Sequence, residues 1–219
     1  MSESAQADRS PKHADIIGAA QELFGEVGYA KTGVREIADR AHIALGTLYS
    51  QFPDGKVGVL TAAMNERVER LSAYIAHSDE TDPVEAFLDR VRRLNIEIVR
   101  DPFLRRTFLE QGRVSDVRLR QRGREIVGSF DDLAIAELRR LTKAGLTQCD
   151  DPEAVAAALR LTNVGWITAQ AAGLSNVEHD RVLNVLIDAV RALIRPTKAH
   201  TAPKPASRRR TERGTRTSK

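Results

Sequence analysis

The segment from Thr32 to Leu60, TGVREIADRAHIALGTLYSQFPDGKVGVL, constrains the fold more than any other part of the chain. In its first half, apolar residues recur at steps of three and four, which predicts a short helix with one apolar face. These residues are Val34, Ile37, Ala38 and Ala41. Such a face can pack against a core.

The second half of the segment predicts another short helix with a different outer face. Leu48 and Phe52 are four residues apart, so we expect both to point inward. The outward positions are then Thr47, Tyr49, Ser50 and Gln51. A solvated helix face usually carries Lys and Glu, whereas neutral donors and acceptors suit contacts with phosphates and base edges. We interpret the segment as a helix-turn-helix whose second helix is presented outward.

The rest of the chain is predicted to be helical. Ala, Leu, Arg and Val dominate, and the 219 residues include only three Tyr, one Trp and six Phe, so we predict an all-α protein. Three Asp-Pro pairs each place a capping carboxylate before a proline and predict helix starts at Pro83, Pro102 and Pro152. Ser10-Pro11 predicts a fourth start, and Gly28 the end of that first helix. The predicted helices outside the first segment cover about 11–27, 57–77, 83–100, 102–114, 117–144, 152–173 and 178–195.

The net charge of +4 conceals an uneven distribution. From Arg195 onward there are nine basic residues and one acid, Glu212, whereas residues 1–60 hold six basic and eight acidic side chains. The basic signal for nucleic-acid binding therefore lies in the tail, and the helix-turn-helix must depend on a few well-placed donors. A single cysteine, Cys149, and the lack of a leader-like N-terminus predict a cytoplasmic protein.

Three short helices, of which the second and third form a helix-turn-helix, followed by a long fourth helix and a larger helical region, resemble the TetR family of transcriptional regulators. The matching text is Lys12 to Tyr29 for the first helix, VREIADRA for the second, and GTLYSQFPDGK for the recognition helix and the start of the fourth. The resemblance implies a homodimer, an inducer pocket in the C-terminal region, and release of a palindromic operator when ligand shifts the recognition helices.

This resemblance divides the chain into four predicted parts. Residues 1–9 are a disordered N-terminus, and 10–56 form the DNA-binding domain with its helix-turn-helix. Residues 57–195 form a C-terminal helical ligand-binding and dimerisation domain, and 196–219 a disordered basic tail. Departures from the family pattern are His42, where the turn often has Gly, and Ala44, where Ser or Thr usually caps the recognition helix. Leu45 replaces a commonly polar residue, and Asp54-Gly55-Lys56 is one residue longer than usual.

The candidate DNA-binding residues combine the outward face with the aligned family positions. Thr32 is expected to cap the second helix and to offer its hydroxyl to a phosphate, and Gln51 to contact a base edge. Gly46 suits close approach of backbone to DNA, and Lys56 aligns with the family's phosphate-binding lysine. The complete set is Thr32, Arg35, Leu45, Gly46, Thr47, Tyr49, Ser50, Gln51 and Lys56.

A ligand pocket is expected in the C-terminal region. Asn163 either orients a ligand or bonds across an interface, and Trp166 is a pocket wall, a dimer contact or a core residue. The candidate lining is Phe87, Val91, Phe108, Phe130, Asn163 and Trp166. Seven arginines between Arg105 and Arg124 form either a solvated face or an entrance for an anionic inducer.

No arrangement of residues predicts an enzyme, a cofactor site or a metal site, because no nucleophile–base pair, cofactor loop or metal-like histidine spacing occurs. We therefore expect a ligand-responsive, sequence-specific DNA-binding regulator, most simply a repressor released from double-stranded DNA by an unknown small-molecule inducer. The alternative is a family-like helical protein with lost or nonspecific DNA binding, which acts through its basic tail or as a ligand-binding partner protein.

Overall fold

The computed structural model describes residues 11–110, 116–174 and 176–194. Within these ranges every regular element is helical, which confirms the all-α prediction, and no helix there is long and apolar enough to cross a membrane. The helices are α1 (Pro11–Glu26), α2 (Val34–Arg40), α3 (Leu45–Gln51), α4 (Lys56–Ala76), α5 (Pro83–Arg100), α6 (Pro102–Glu110), α7 (Val117–Lys143), α8 (Pro152–Ala171) and α9 (His179–Ile194). The predicted disordered ends, including the basic tail, and the Ser10 cap lie outside the described residues.

Aspartate caps set the starts of the C-terminal helices as predicted. The Asp82 carboxylate accepts hydrogen bonds from two backbone N–H groups at the start of α5, and Asp151 accepts one at the start of α8. Asp101 accepts from the N–H of Leu104 at 3.0 Å. Asp116 caps α7 in the same way, although no proline follows it. Each carboxylate satisfies orphan donors and also faces the positive end of its helix dipole.

The helix-turn-helix is formed by α2 and α3. Between them His42 has φ +54°, the only positive φ among the non-glycine residues that the structure describes. The N–H of His42 bonds to the Asp39 carbonyl at 3.1 Å, and that of Ile43 to the Ala38 carbonyl at 3.0 Å. This pair of bonds ends a helix in a left-handed residue, a position usually held by glycine. The side chain of His42 therefore imposes strain on the turn.

Two hydrophobic clusters fill the molecule. The first joins the helix-turn-helix to α1, α4 and α6 and to parts of α7 and α8, and it contains the fully buried Leu48 and the nearly buried Phe52. The second lies among α5, α7, α8 and α9. The first cluster thus continues across the predicted domain boundary at residue 56, because Phe24 of α1 stacks with Phe103 of α6 at a centroid distance of 6.4 Å.

We predict that His42→Gly raises the free energy of unfolding by about 0.5–1 kcal/mol, because it removes a Cβ from a left-handed position. Urea denaturation measures this change. His77→Gly is the matched control, since His77 has φ −84° just after α4, so a glycine there brings no relief. A less stable His42→Gly protein would contradict the proposed strain.

Candidate DNA interface and ligand cavity

The outward face of α3 is arranged as the sequence predicted. Leu48 and Phe52 anchor the helix, and the Phe52 ring stacks on His13 of α1 at 4.7 Å. The opposite side presents Tyr49, which is 47% exposed, together with the exposed Ser50 and Gln51 and the half-buried Thr47. These four side chains form no hydrogen bond with another described residue, so their donors and acceptors remain available. Their contact with DNA stays a prediction.

Three other predicted contact residues differ in what surrounds them. Gly46 is exposed, and a Cβ there would meet no atom within 4 Å, so the protein's own packing does not require glycine. Leu45 is half-buried and packs against the first cluster, which limits how much of it can face DNA. Arg35 is exposed on α2. Close approach of DNA to Gly46 is consistent with this open surface, and it stays a prediction.

Thr32 requires a correction. Helix α2 begins after Gly33, whose N–H bonds to the Glu36 carboxylate at 2.7 Å, so the predicted Thr32 cap is wrong. Thr32 is only 1% exposed, and its hydroxyl donates to the Gly28 carbonyl at 2.8 Å. The hydroxyl expected to reach a phosphate therefore closes the loop between α1 and α2.

Lys56 plays a structural role at the start of α4. Its ammonium donates to the backbone carbonyls of Tyr29 and Thr32, each at 3.0 Å, and lies over the Tyr29 ring at 4.4 Å from the centroid. Burial lowers the pKa of Lys56 from its usual value, and nearby Glu36 opposes that shift. Lys56 thus ties the α1–α2 loop to α4, with one N–H left for a phosphate.

A contact that the sequence did not predict joins α6 to the end of α1. The Glu110 carboxylate accepts the N–H of Tyr29 at 3.0 Å and pairs with Arg106 at 2.8 Å, while Arg106 also donates to the Val27 carbonyl at 3.1 Å. Gly28 lies between them with φ +88°, and a Cβ there would come within 2.2 Å of the Glu110 carboxylate. The sequence indicated Gly28 as a helix end, but its second role depends on a residue distant in the chain.

Four of the six predicted pocket residues line one cavity of about 100 Å³ in the C-terminal helices. They are Val91, Phe108, Phe130 and Asn163. A second cavity of about 70 Å³ lies beside it and extends to Phe24 and Tyr29 of the N-terminal helices. The wall between the two is shared and consists of Val68, Leu104, Phe108, Ile126 and Val127.

The structure places the other two predicted pocket residues elsewhere. Phe87 is 3% exposed within the second cluster and lines a neighbouring cleft that shares Val91 and Phe130 with the cavity. Trp166 lies in a groove against α6, where its ring contacts His179 at a centroid distance of 4.5 Å and its Nε1 donates to the Val177 carbonyl at 3.4 Å. Neither lines the cavity formed by the other four, because helical periodicity shows that a residue is buried without showing against which neighbour. A ligand-binding role for either residue stays a prediction.

In the part of the arginine-rich stretch that the structure describes, three arginine side chains pair with acidic or amide groups. Arg106 binds Glu110, Arg118 lies 3.5 Å from the Asp54 carboxylate, and Arg122 bonds to the Asn65 amide oxygen at 2.7 Å and to Glu125 at 3.2 Å. These contacts favour the surface-pairing interpretation over an anion entrance. Among the described residues, no group of three or more His, Cys, Asp or Glu side chains is placed to hold a metal ion.

This geometry defines a helix-turn-helix protein with a larger helical domain. Residues 16–63 match the family described as bacterial regulatory proteins, tetR family. The chain is 31% identical over 104 residues to the transcriptional repressor KstR of Rhodococcus jostii. This alignment covers 48% of the present chain and 47% of KstR. The alignments thus span about half the length of the curated relatives.

Solved structures resemble the fold over a longer range. A TetR transcription regulator from Haloarcula marismortui has a TM-score of 0.73 at 19% identity and covers 84% of this chain and 98% of its own. The regulator FadR from Bacillus subtilis, solved with stearoyl-CoA, has a TM-score of 0.67 at 22% identity and covers 83% of this chain and 99% of its own. The match to the tetR family thus lies in the N-terminal helices, and over most of its length the chain shares the fold of the TetR regulator from Haloarcula marismortui.

We predict that Lys56→Met destabilises the protein by about 2 kcal/mol, because it leaves two backbone carbonyls without their charged donor. Thermal denaturation measures the loss. Lys31→Met is the matched control, since Lys31 is exposed in the same loop. If Lys56→Met weakened DNA binding at unchanged thermal stability, Lys56 would be a phosphate contact and not a structural clamp.

Proposed function

We propose that this chain is a ligand-responsive, sequence-specific DNA-binding regulator that acts in the cytoplasm as a repressor, with α3 as its recognition helix. The observation that carries the proposal is the outer face of α3, where Tyr49, Ser50 and Gln51 stand exposed on a helix anchored by two buried side chains. A nonspecific binder needs cationic side chains, whereas this face offers an amide and hydroxyls suited to base edges and phosphates. The KstR relative is likewise named a transcriptional repressor.

Each outward group has a distinct proposed role. Tyr49, Thr47 and Ser50 donate to phosphates, and Gln51 contacts a base edge through its amide. Gly46 allows close backbone approach. Arg35 and the Lys56 ammonium add positive charge at the edge of this face, and Lys56 has one N–H left to donate. Leu45 contributes the exposed part of its side chain, and Thr32 is not included because its hydroxyl is buried.

A homodimer is supported by an uncovered apolar face on α8 and α9. Leu161 of α8 is 59% exposed, and Val185 and Leu193 of α9 are 70% and 69% exposed. Val185 and Leu193 are eight residues apart, so they share one side of α9. Since α8 packs beside α9, a second copy can cover both helices at once. A two-fold axis there would present two recognition helices to a palindromic operator at a spacing of about 34–36 Å or a near multiple.

Ligand control is proposed to act through α6. Leu104 and Phe108 of α6 form part of the wall between the two cavities, and the same helix holds Tyr29 through Glu110. A small molecule that occupies the cavities would press on α6 and thereby displace the end of α1 and the helix-turn-helix. FadR, solved with stearoyl-CoA, shows that a protein of this fold accepts a small-molecule ligand. An inducer would therefore lower operator affinity by favouring the displaced state.

We predict that Tyr49→Ala lowers operator affinity by at least about tenfold while the melting temperature stays unchanged. The measurement is a gel shift with genomic DNA fragments selected by the wild-type protein. Tyr74→Ala is the matched control, because Tyr74 is 49% exposed, nearly the same as Tyr49, but lies near the far end of α4. Equal affinities for the wild type and Tyr49→Ala would contradict α3 as the recognition helix.

We also predict that Leu161→Asp converts a dimer into a monomer, because a buried carboxylate without a partner opposes association. Light scattering after size exclusion measures mass against the 24.2 kDa of one chain. Leu133→Asp on α7 adds the same charge at a leucine that is 61% exposed, and it should leave the dimer intact. A dimeric Leu161→Asp protein would show that another surface forms the interface.

A further inference from the structure

The cavity of about 100 Å³ is lined mostly by apolar side chains, and its few polar lining residues come from α5, α7 and α8. Its polar lining residues are Asn95, Asp131, Arg160 and Asn163. The donor group of Asn95 is already engaged, because its Nδ2 donates to the Val91 carbonyl at 2.7 Å. Two kinds of polar group thus face the cavity: amides that carry no charge and a pair of opposite charges.

Asn163 is the unusual member of this group. Its side chain is 7% exposed, and its buried Oδ1 accepts no hydrogen bond from any residue that the structure describes. A buried acceptor without a partner is destabilising, and native proteins rarely keep one without a role. A bound molecule that carries an N–H or O–H group would satisfy it.

The charged pair determines which head group fits beside that acceptor. Nε of Arg160 bonds to the Asp131 carboxylate at 2.8 Å, so the two formal charges cancel at the cavity wall. An anionic head would meet the Asp131 carboxylate, and a cationic head would meet the Arg160 guanidinium. A neutral group that both donates and accepts, such as a hydroxyl, avoids both repulsions.

The apolar part of the lining, which includes the wall shared with the smaller cavity, suits an apolar body. Phe108, Ile126 and Phe130 line it, and the wall shared with the smaller cavity is made wholly of apolar side chains. A ligand whose apolar part lies against that wall would have its polar head at Asn163 and the rest of its body against α6. Shape and polarity therefore favour one orientation of the ligand.

We propose that this cavity binds a neutral amphiphile whose head carries a hydrogen-bond donor, with the donor on Asn163 Oδ1 and the apolar body against Phe108 and Ile126. The assignment rests on the proposed function only in treating the cavity as the inducer site. A hydroxyl-bearing lipid-like molecule belongs to this class, and a free carboxylate does not.

Three probes of similar length separate these chemistries. Decan-1-ol has a neutral donor and acceptor, methyl nonyl ether has only an acceptor, and decanoate has an anion. In calorimetric titrations of the full chain below the solubility limits of the probes, we expect the alcohol to bind about tenfold more tightly than either of the other two. Equal binding of the three, stronger binding of decanoate, or no binding of the alcohol would overturn the proposal.

The Asn163→Leu variant tests the acceptor itself. It should bind the alcohol and the ether with similar affinity, because the amide that distinguishes them is gone. Asn65→Leu is the matched control, because it removes an amide from α4 outside both cavities, and it should keep the preference. Asn163→Ala repeats the test with a smaller side chain if the leucine disturbs folding, as judged by circular dichroism. A preference that survives both Asn163 substitutions would overturn the assignment.

Gel shifts on the same proteins separate this inference from the proposed function. A chain that prefers the alcohol but selects no DNA contradicts the regulator and leaves the ligand class standing. A chain that binds DNA but shows no preference for the alcohol contradicts the ligand class alone. If both are right, decan-1-ol should release DNA from the wild-type protein. The Asn163→Leu variant should then need at least about tenfold more decan-1-ol for the same release.

Discussion

The placement of α3 depends on the burial of Leu48 and Phe52. A helix of seven residues is too short to be stable in water, so its position must come from the surface on which it packs. No side chain caps its N-terminus, because Ala44 occupies that position. Two buried side chains and the Phe52–His13 ring contact therefore hold the element on which proposed DNA recognition depends.

This anchoring explains how a module without a basic surface can still hold neutral donors and acceptors in position for the proposed contacts with DNA. Residues 1–60 carry more acidic than basic side chains, and Lys56 uses most of its donors within the protein. Under the proposed function, affinity must come from the geometry of a few neutral donors and from helix N-termini. Such a site depends on exact placement more than a cationic patch does, since hydrogen bonds weaken steeply with distance and angle.

Much of the fold could be predicted from local sequence. The Asp-Pro pairs located three helix starts because capping is a property of adjacent residues, and Gly28 ended α1 as expected with φ +88°. The inward and outward sides of α3 followed from helical periodicity alone. Boundaries of the later helices agreed with the prediction within a few residues wherever the structure describes them.

Contacts between distant residues could not be predicted in the same way. The Thr32 hydroxyl was expected to cap α2, but the chain begins that helix one residue later and turns the hydroxyl back to Gly28. Phe87 and Trp166 were predicted to line the pocket, but their neighbours depend on helix crossing angles that a single sequence does not reveal. The Glu110 contact joins positions 81 residues apart and has no local signature.

The close fit between Gly28 and Glu110 limits how this protein could be recombined. Engineers often treat a DNA-reading module as a cassette that can be exchanged between regulators. Here the first hydrophobic cluster runs through the junction, and a side chain at position 28 would displace the Glu110 carboxylate on α6 from its bond with Tyr29. A functional chimera would therefore need to carry α6 with the first three helices, so that the unit of exchange is a non-contiguous part of the chain.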